Sequence, residues 1–275
     1  MPYKNSKELV EFLKKENLWA DKDLGQNFLV NFSILKKIIK AAELKPEDNV
    51  VEIGPGLGIL TKELAKNVSH VHAIELDKNL IKILQRELAS FSNINLEQGN
   101  ALKSRLPVVS YKLVANIPYY ITSPLLRHFL QPINPEEKRP TLIVLLVQKE
   151  VAKKICATDG KHSMLSLQTQ IFGKPSIVEI VPKNDFYPQP KVDSAILKIE
   201  VYEEPLIQNM KKFQKITSIS FAQRRKTLLN TLQNSTNLSK EDTEELLIKS
   251  GIDPQRRPQT LSIEEWNTLL KTLEK

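Results

Sequence analysis

Asn49-Val50-Val51-Glu52-Ile53-Gly54-Pro55-Gly56-Leu57-Gly58 carries the strongest structural signal in the chain. A β-rich run leads into three glycines at alternate positions, and apolar residues at helical spacing from Thr61 to Asn67 take over beyond them. Glycine here allows tight turning of the backbone and close approach of a ligand, both of which a Cβ would obstruct. The spacing is G-x-G-x-G. A dinucleotide fingerprint needs Gly or Ala where Ile59 stands, so a pyrophosphate ligand is disfavoured. A purely structural turn is the competing reading.

Beyond this run, Val71–Glu75, Ile94–Glu97, Lys112–Asn116 and Leu142–Val147 read as further strands, the last apolar throughout and therefore central. Helical spacing covers 79–89, 123–131 and 148–157. This alternation predicts a doubly wound, mostly parallel sheet. Runs at 176–181 and 193–202 follow across a proline-rich loop too short for a crossover helix, which predicts an antiparallel final pair. The fold class is α/β, a Rossmann-like sheet of seven strands. After Pro205 the strand signals stop, and helices are expected over 207–221, 226–233, 240–249 and 263–273. Ser239 and Ser262 read as N-caps with an acid three residues on, and Gly251 as a helix stop. The expected division is a catalytic domain over 1–204 with an N-terminal helical extension, and a small all-α domain over 205–275.

Bulk properties restrict the function. The chain has 275 residues, 41% of them apolar, with a mean hydropathy of -0.29. No window approaches the roughly 20 uninterrupted apolar residues of a membrane span. Met1 to Asn17 alternates Lys and Glu and lacks the pattern of a secretory signal, so a cytoplasmic protein is expected. Cys156 stands alone and no Cys/His grouping has metal-ligand spacing, so no metal is expected, and His70 and His72 read as structural. A net charge of +8 suits a polyanionic partner such as RNA, though charge alone is weak evidence.

Glu75 ends a strand about 20 residues after the glycine loop, where a carboxylate can hold both hydroxyls of a ribose. Asp77 reads as a helix cap. Asn100 is placed either to address an adenine edge or simply to close a turn. Asn116-Ile117-Pro118-Tyr119 sits just past a strand, at the carboxyl edge of the sheet where open α/β folds bind ligands. The residue types suit methylation of an exocyclic amine. Such a nitrogen is a poor nucleophile because its lone pair is drawn into the ring. Two acceptors on its hydrogens, the Asn116 side-chain oxygen and the Ile117 carbonyl, favour a tetrahedral, more nucleophilic state. Pro118 restrains the loop, and Tyr119 offers a face for an extruded base. Phe186, in the aromatic and proline-rich loop 186–190, is the candidate to cover the other face, with anchoring of its loop to the core as the alternative.

Together these motifs resemble the small-subunit ribosomal RNA adenine dimethyltransferase family. The likeness runs through residues 24–29, 51–58, 75–77, 116–119, 146–151 and 186–194, then 221–228 and 251–254. The resemblance implies S-adenosyl-L-methionine as cofactor. Gln26, Asn27 and Leu29 would border its methionine part, with Glu52, Gly54, Gly56 and Gly58 forming the loop beneath. Glu75 would hold the ribose, Asn100 would meet the adenine, and Asn116 would serve cofactor and target alike. The family more often has Asp at the Asn100 position, and an amide oxygen accepts more weakly than a carboxylate. The resemblance also implies dimethylation of two adjacent adenosines in the 3'-terminal hairpin of small-subunit RNA within a pre-30S particle, by a monomer. Arg224, Arg225 and Lys226, read on one helical turn, suit a phosphate backbone, against a solvated charge run. Two other readings stay open: a large-subunit adenine methyltransferase of the macrolide-resistance type, and a non-catalytic RNA-binding assembly factor.

Overall fold

The computed structural model describes all residues except Met1, Pro2, Lys4, Lys22, Leu106, Val108, Pro135, Asp159, Arg224, Asn237, Glu274 and Lys275, and no side chains at 234–236. In chain order the elements are α1 (Ser6–Lys15), β1 (Phe28–Leu29), α2 (Phe32–Ala41), β2 (Asn49–Ile53), α3 (Ile59–Ala65), β3 (His70–Glu75), α4 (Lys78–Glu87), β4 (Ile94–Gln98), β5 (Lys112–Asn116) and α5 (Thr122–Leu130). Then come β6 (Leu142–Gln148), α6 (Lys149–Ile155), α7 (Met164–Gln170), β7 (Gly173–Val181), β8 (Phe186–Tyr187), β9 (Ser194–Val201), α8 (Met210–Ala222), α9 (Leu228–Thr236), α10 (Lys240–Lys249) and α11 (Ile263–Thr272).

The main sheet has seven strands in the order β4-β3-β2-β5-β6-β9-β7. Pairings β2–β3, β3–β4, β2–β5 and β5–β6 are parallel, and β9 runs antiparallel to β6. The expected α/β class is what forms. β6 is buried along Leu142–Val147 and lies between β5 and β9, as its unbroken apolar run demands. The chain winds outward from β2 through β3 to β4 and then resumes beside β2 with β5. That change of direction opens a crevice at the carboxyl ends of β2 and β5. Gly54 and Asn116 therefore arrive at one place from positions 62 residues apart in sequence.

The chain divides into two compact units. One comprises Met1–Ala152 and Pro175–Val201, the other Lys153–Lys174 and Tyr202–Lys275. In the first, β1 and β8 pair as a separate antiparallel ladder, Leu29 opposite Phe186. The apolar face of α2 (Ile34, Leu35, Ile38) packs with Val50, Leu60 and Val144 in one buried cluster. The second is helical. Trp266 of α11, fully buried, meets Phe213 of α8 edge-on at 6.3 Å. Ser239 and Ser262 cap α10 and α11, and Gly251 follows α10 with φ +72, where an L side chain would be strained. No helix among the described residues is long and apolar enough to cross a membrane.

Candidate active site

The glycine loop shapes the floor of a cavity of about 230 Å³. Gly54 and Gly56 take φ +64 and +61. A Cβ on Gly54 would stand 3.9 Å from Pro118 Cδ and 4.0 Å from the Asn116 carbonyl, filling a cradle that the loop now leaves open. Gly58, the left-handed cap of α3, does not line the cavity. A Cβ there would come within 3.0 Å of Leu84 Cδ2, so this glycine seats α3 against α4.

Two carboxyls stand beside the loop. Glu75, 6% exposed, accepts from Gly56 N at 3.2 Å and from Asp77 N at 2.9 Å, and burial raises its pKa. Glu52 is 1% exposed, and its Oε2 has no hydrogen-bond partner among the described residues. Burial, reinforced by the nearby Glu75, pushes its carboxyl up to about 8, so it holds a proton at neutral pH. An unsatisfied buried carboxyl on the wall of a cavity suits a ligand that brings a cation or a donor. Asp77 caps α4 by accepting from Asn79 N at 2.8 Å.

Gln26 fastens the segment before β1 across this wall. Its Nε2 donates to Asp77 Oδ2 at 2.8 Å while its Oε1 accepts from Asp21 N at 2.9 Å. One residue on, the Asn27 carbonyl accepts from Asn116 Nδ2 at 3.2 Å. This commits the Asn116 amide nitrogen and leaves Oδ1 without a donor among the described residues. Asn27 and Leu29 line the same cavity, as do Ile117, Pro118 and Tyr119. Tyr119 is half-buried. Its hydroxyl meets Ser194 Oγ at 2.6 Å, its carbonyl accepts from Thr122 Oγ1 at 2.9 Å, and burial raises its pKa. The ring is thus fixed at both ends.

Asn100 also lines the cavity, but its side-chain oxygen accepts from Leu102 N at 3.0 Å. That bond occupies one of the two lone pairs of the oxygen, so one acceptor site and the amide nitrogen remain for a ligand. Phe186 lies elsewhere: it is 3% exposed, pairs with Leu29 and belongs to the apolar core, away from the cavity lining. Burial of a whole phenyl ring outweighs exposing it on a loop. Arg225 and Lys226 are exposed but do not share a helical turn. α8 ends at Ala222 and α9 starts at Leu228, so they sit in the connecting turn, where Lys226 N donates to the Gln223 carbonyl at 2.9 Å. Arg224 lies outside the described residues.

Three features escape sequence reasoning: the Asp21–Gln26–Asp77 fastening, the paired short strands β1 and β8, and Tyr120 at the cavity rim. Only Tyr120 carried a signal, as a second consecutive aromatic in the loop.

A family model described as ribosomal RNA adenine dimethylase matches residues 18–275. The chain is 43% identical over 266 residues, 94% of its length and 90% of the relative's, to a protein of Dehalococcoides mccartyi strain 195 named ribosomal RNA small subunit methyltransferase A. Among solved structures, a dimethyladenosine transferase from Plasmodium falciparum aligns with a TM-score of 0.77 at 29% identity, covering 89% of this chain and 96% of that one. The 23S rRNA methyltransferase ErmE aligns at 0.74 and 28%, covering 90% and 100%.

Proposed function

This chain belongs to the ribosomal RNA adenine dimethylase family, and from that premise we propose that it dimethylates the N6 amines of two adjacent adenosines in the 3'-terminal hairpin of small-subunit RNA. It would act as a cytoplasmic monomer on a pre-30S particle. S-adenosyl-L-methionine is its cofactor and supplies an electrophilic methyl group on a sulfonium.

The observation that carries the chemistry is the state of Asn116, whose amide nitrogen is held by the Asn27 carbonyl while Oδ1 stays available at the cavity. Oδ1 and the Ile117 carbonyl accept the two N–H groups of the target amine and raise its nucleophilicity. Tyr119, anchored by Ser194, presents its ring to the extruded base. Glu75 holds the ribose hydroxyls, Gly54 and Gly56 leave room for the chain that carries the sulfonium, and Glu52 faces its ammonium end. Gln26, Asn27 and Leu29 close that side. No general base is required, because alignment supplies most of the rate and the alkylated nitrogen then gives up its proton to solvent water. Arg225 and Lys226 would meet RNA phosphates.

The small-subunit target rests on the named relatives and on residues 221–228 of the helical unit. Methyl incorporation into undermethylated small subunits, with the modified positions mapped, tests it. Dimethyladenosine at two neighbouring positions of that hairpin is expected. Transfer confined to large-subunit RNA would reject the target, and RNA binding without transfer would reject the enzyme.

A further inference from the structure

We propose that Tyr120 is the stacking platform for the base that neighbours the adenosine in the cavity, an inference that rests on the reading of that cavity as the site of an extruded adenosine.

Tyr119 and Tyr120 are consecutive in one short 3-10 turn and have opposite surroundings. Tyr119 is half-buried and bonded at its hydroxyl. Tyr120 is 60% exposed and has no hydrogen-bond partner among the described residues, although it lines the rim of the same cavity. One side of its ring is nonetheless backed. Gly25, at φ +63, lies so close that a Cβ on it would stand 3.2 Å from Tyr120 Cε1, 3.3 Å from Cδ1 and 3.3 Å from Pro118 Cβ. A glycine held in the left-handed region thus lets the strap before β1 press against one side of the ring, leaving the rest to solvent.

A rigid, flat, uncharged aromatic group at the rim of a base-extruding cavity meets the requirements for stacking on a nucleobase. It has few rotamers to lose, and any base presents a π-face. Extruding one of two adjacent adenosines strips its neighbour of a stacking partner. Tyr120 replaces that partner on the side of the cavity where it stands.

A double-mutant cycle on hairpin RNA tests this, pairing Tyr120→Leu with removal of the neighbouring base to leave an abasic site. The abasic change should weaken binding to the parental protein by about tenfold, and Tyr120→Leu should weaken binding of intact RNA similarly. The two losses together should be no larger than either alone. Tyr120→Phe should bind like the parent, and melting of both variants should stay within about 2 °C of it, as befits an exposed position. Additive losses, or Tyr120→Phe as damaging as Tyr120→Leu, would overturn the platform, the latter pointing to a hydroxyl–phosphate contact. If the parental protein methylates large-subunit RNA instead, the functional reading has failed. Methylation of the hairpin with additive losses rejects the platform alone.

Discussion

Replacing Glu52 with Gln should flatten the pH dependence of stability. The Glu52 carboxyl sits at about 8 in the folded chain because burial disfavours its charge and Glu75 adds repulsion. In the unfolded chain the same group titrates near 4.3. Between those values the unfolded chain is ionised while the folded chain still carries the proton, so stability falls as pH rises, by about 1.4 kcal/mol per pH unit. From pH 5 to pH 7 the loss is roughly 2–3 kcal/mol, and the slope levels above about pH 8, once the folded form ionises too. Glutamine has the same shape and no titration, so Glu52→Gln lacks this slope. Glu75, also raised by burial, contributes in the same direction but is common to both proteins. Thermal unfolding of both at pH 5 and pH 7 is the assay. The parental protein should lose about 3–5 °C more than the variant over that interval, the equivalent of the free-energy difference for a chain of this size. Equal losses in the two proteins would show that Glu52 is ionised in the fold, its unpartnered oxygen meeting solvent or a cation.

Three further outcomes follow from the site. Asn116→Ala should lower methyl transfer by at least about 100-fold while RNA binding, by filter retention, stays within about twofold; transfer at the parental rate would dismiss its role. Asn100→Asp should tighten S-adenosylmethionine binding by roughly fivefold in calorimetry, since a carboxylate can serve Leu102 N and still offer a second acceptor to an adenine amine, whereas unchanged or weaker binding would remove that contact. Gly58→Ala should cost roughly 1–3 kcal/mol in urea unfolding, because the residue would need φ +77 and its methyl would press on Leu84; an unchanged midpoint would mean that α3 slides at no cost.

How much of this was legible depended on whether the signal was local. β2, β5 and α10 have the bounds read from the sequence, because apolar periodicity and caps lie within the elements themselves. α2 and α7 went unread. Yet Asn31 and Ser163 cap them, and Ile34, Leu35 and Ile38 carry the helical spacing. β1 and β8 are two residues each, too short for any period, and exist only through their pairing. Gly54, Glu75 and Asn116, singled out in the sequence by residue type and position, do come together in the lining of one cavity. The site was illegible where burial decides: no local pattern tells that Phe186 faces the core, that Tyr120 faces water, or that the Asn100 oxygen is already engaged. Arg225 and Lys226 read as helical because their propensity is high, but the chain turns there before α9.

The helical unit takes its residues from two separate stretches, and this limits how it can be traded between relatives. Residues 153–174 contribute Leu167, Ile171 and Phe172, at most 3% exposed, and the carbonyls of Ile171 and Phe172 accept from Leu206 N and Tyr202 N. A chimera joined at a single point near residue 202 imports α8 to α11 with a foreign α7, mismatched in shape and pairing. Grafting the unit intact takes two additional junctions, one on each side of 153–174. Recombination by a single crossover is therefore a poor route to exchanging this unit between relatives, and point changes on its exposed turns are the open one.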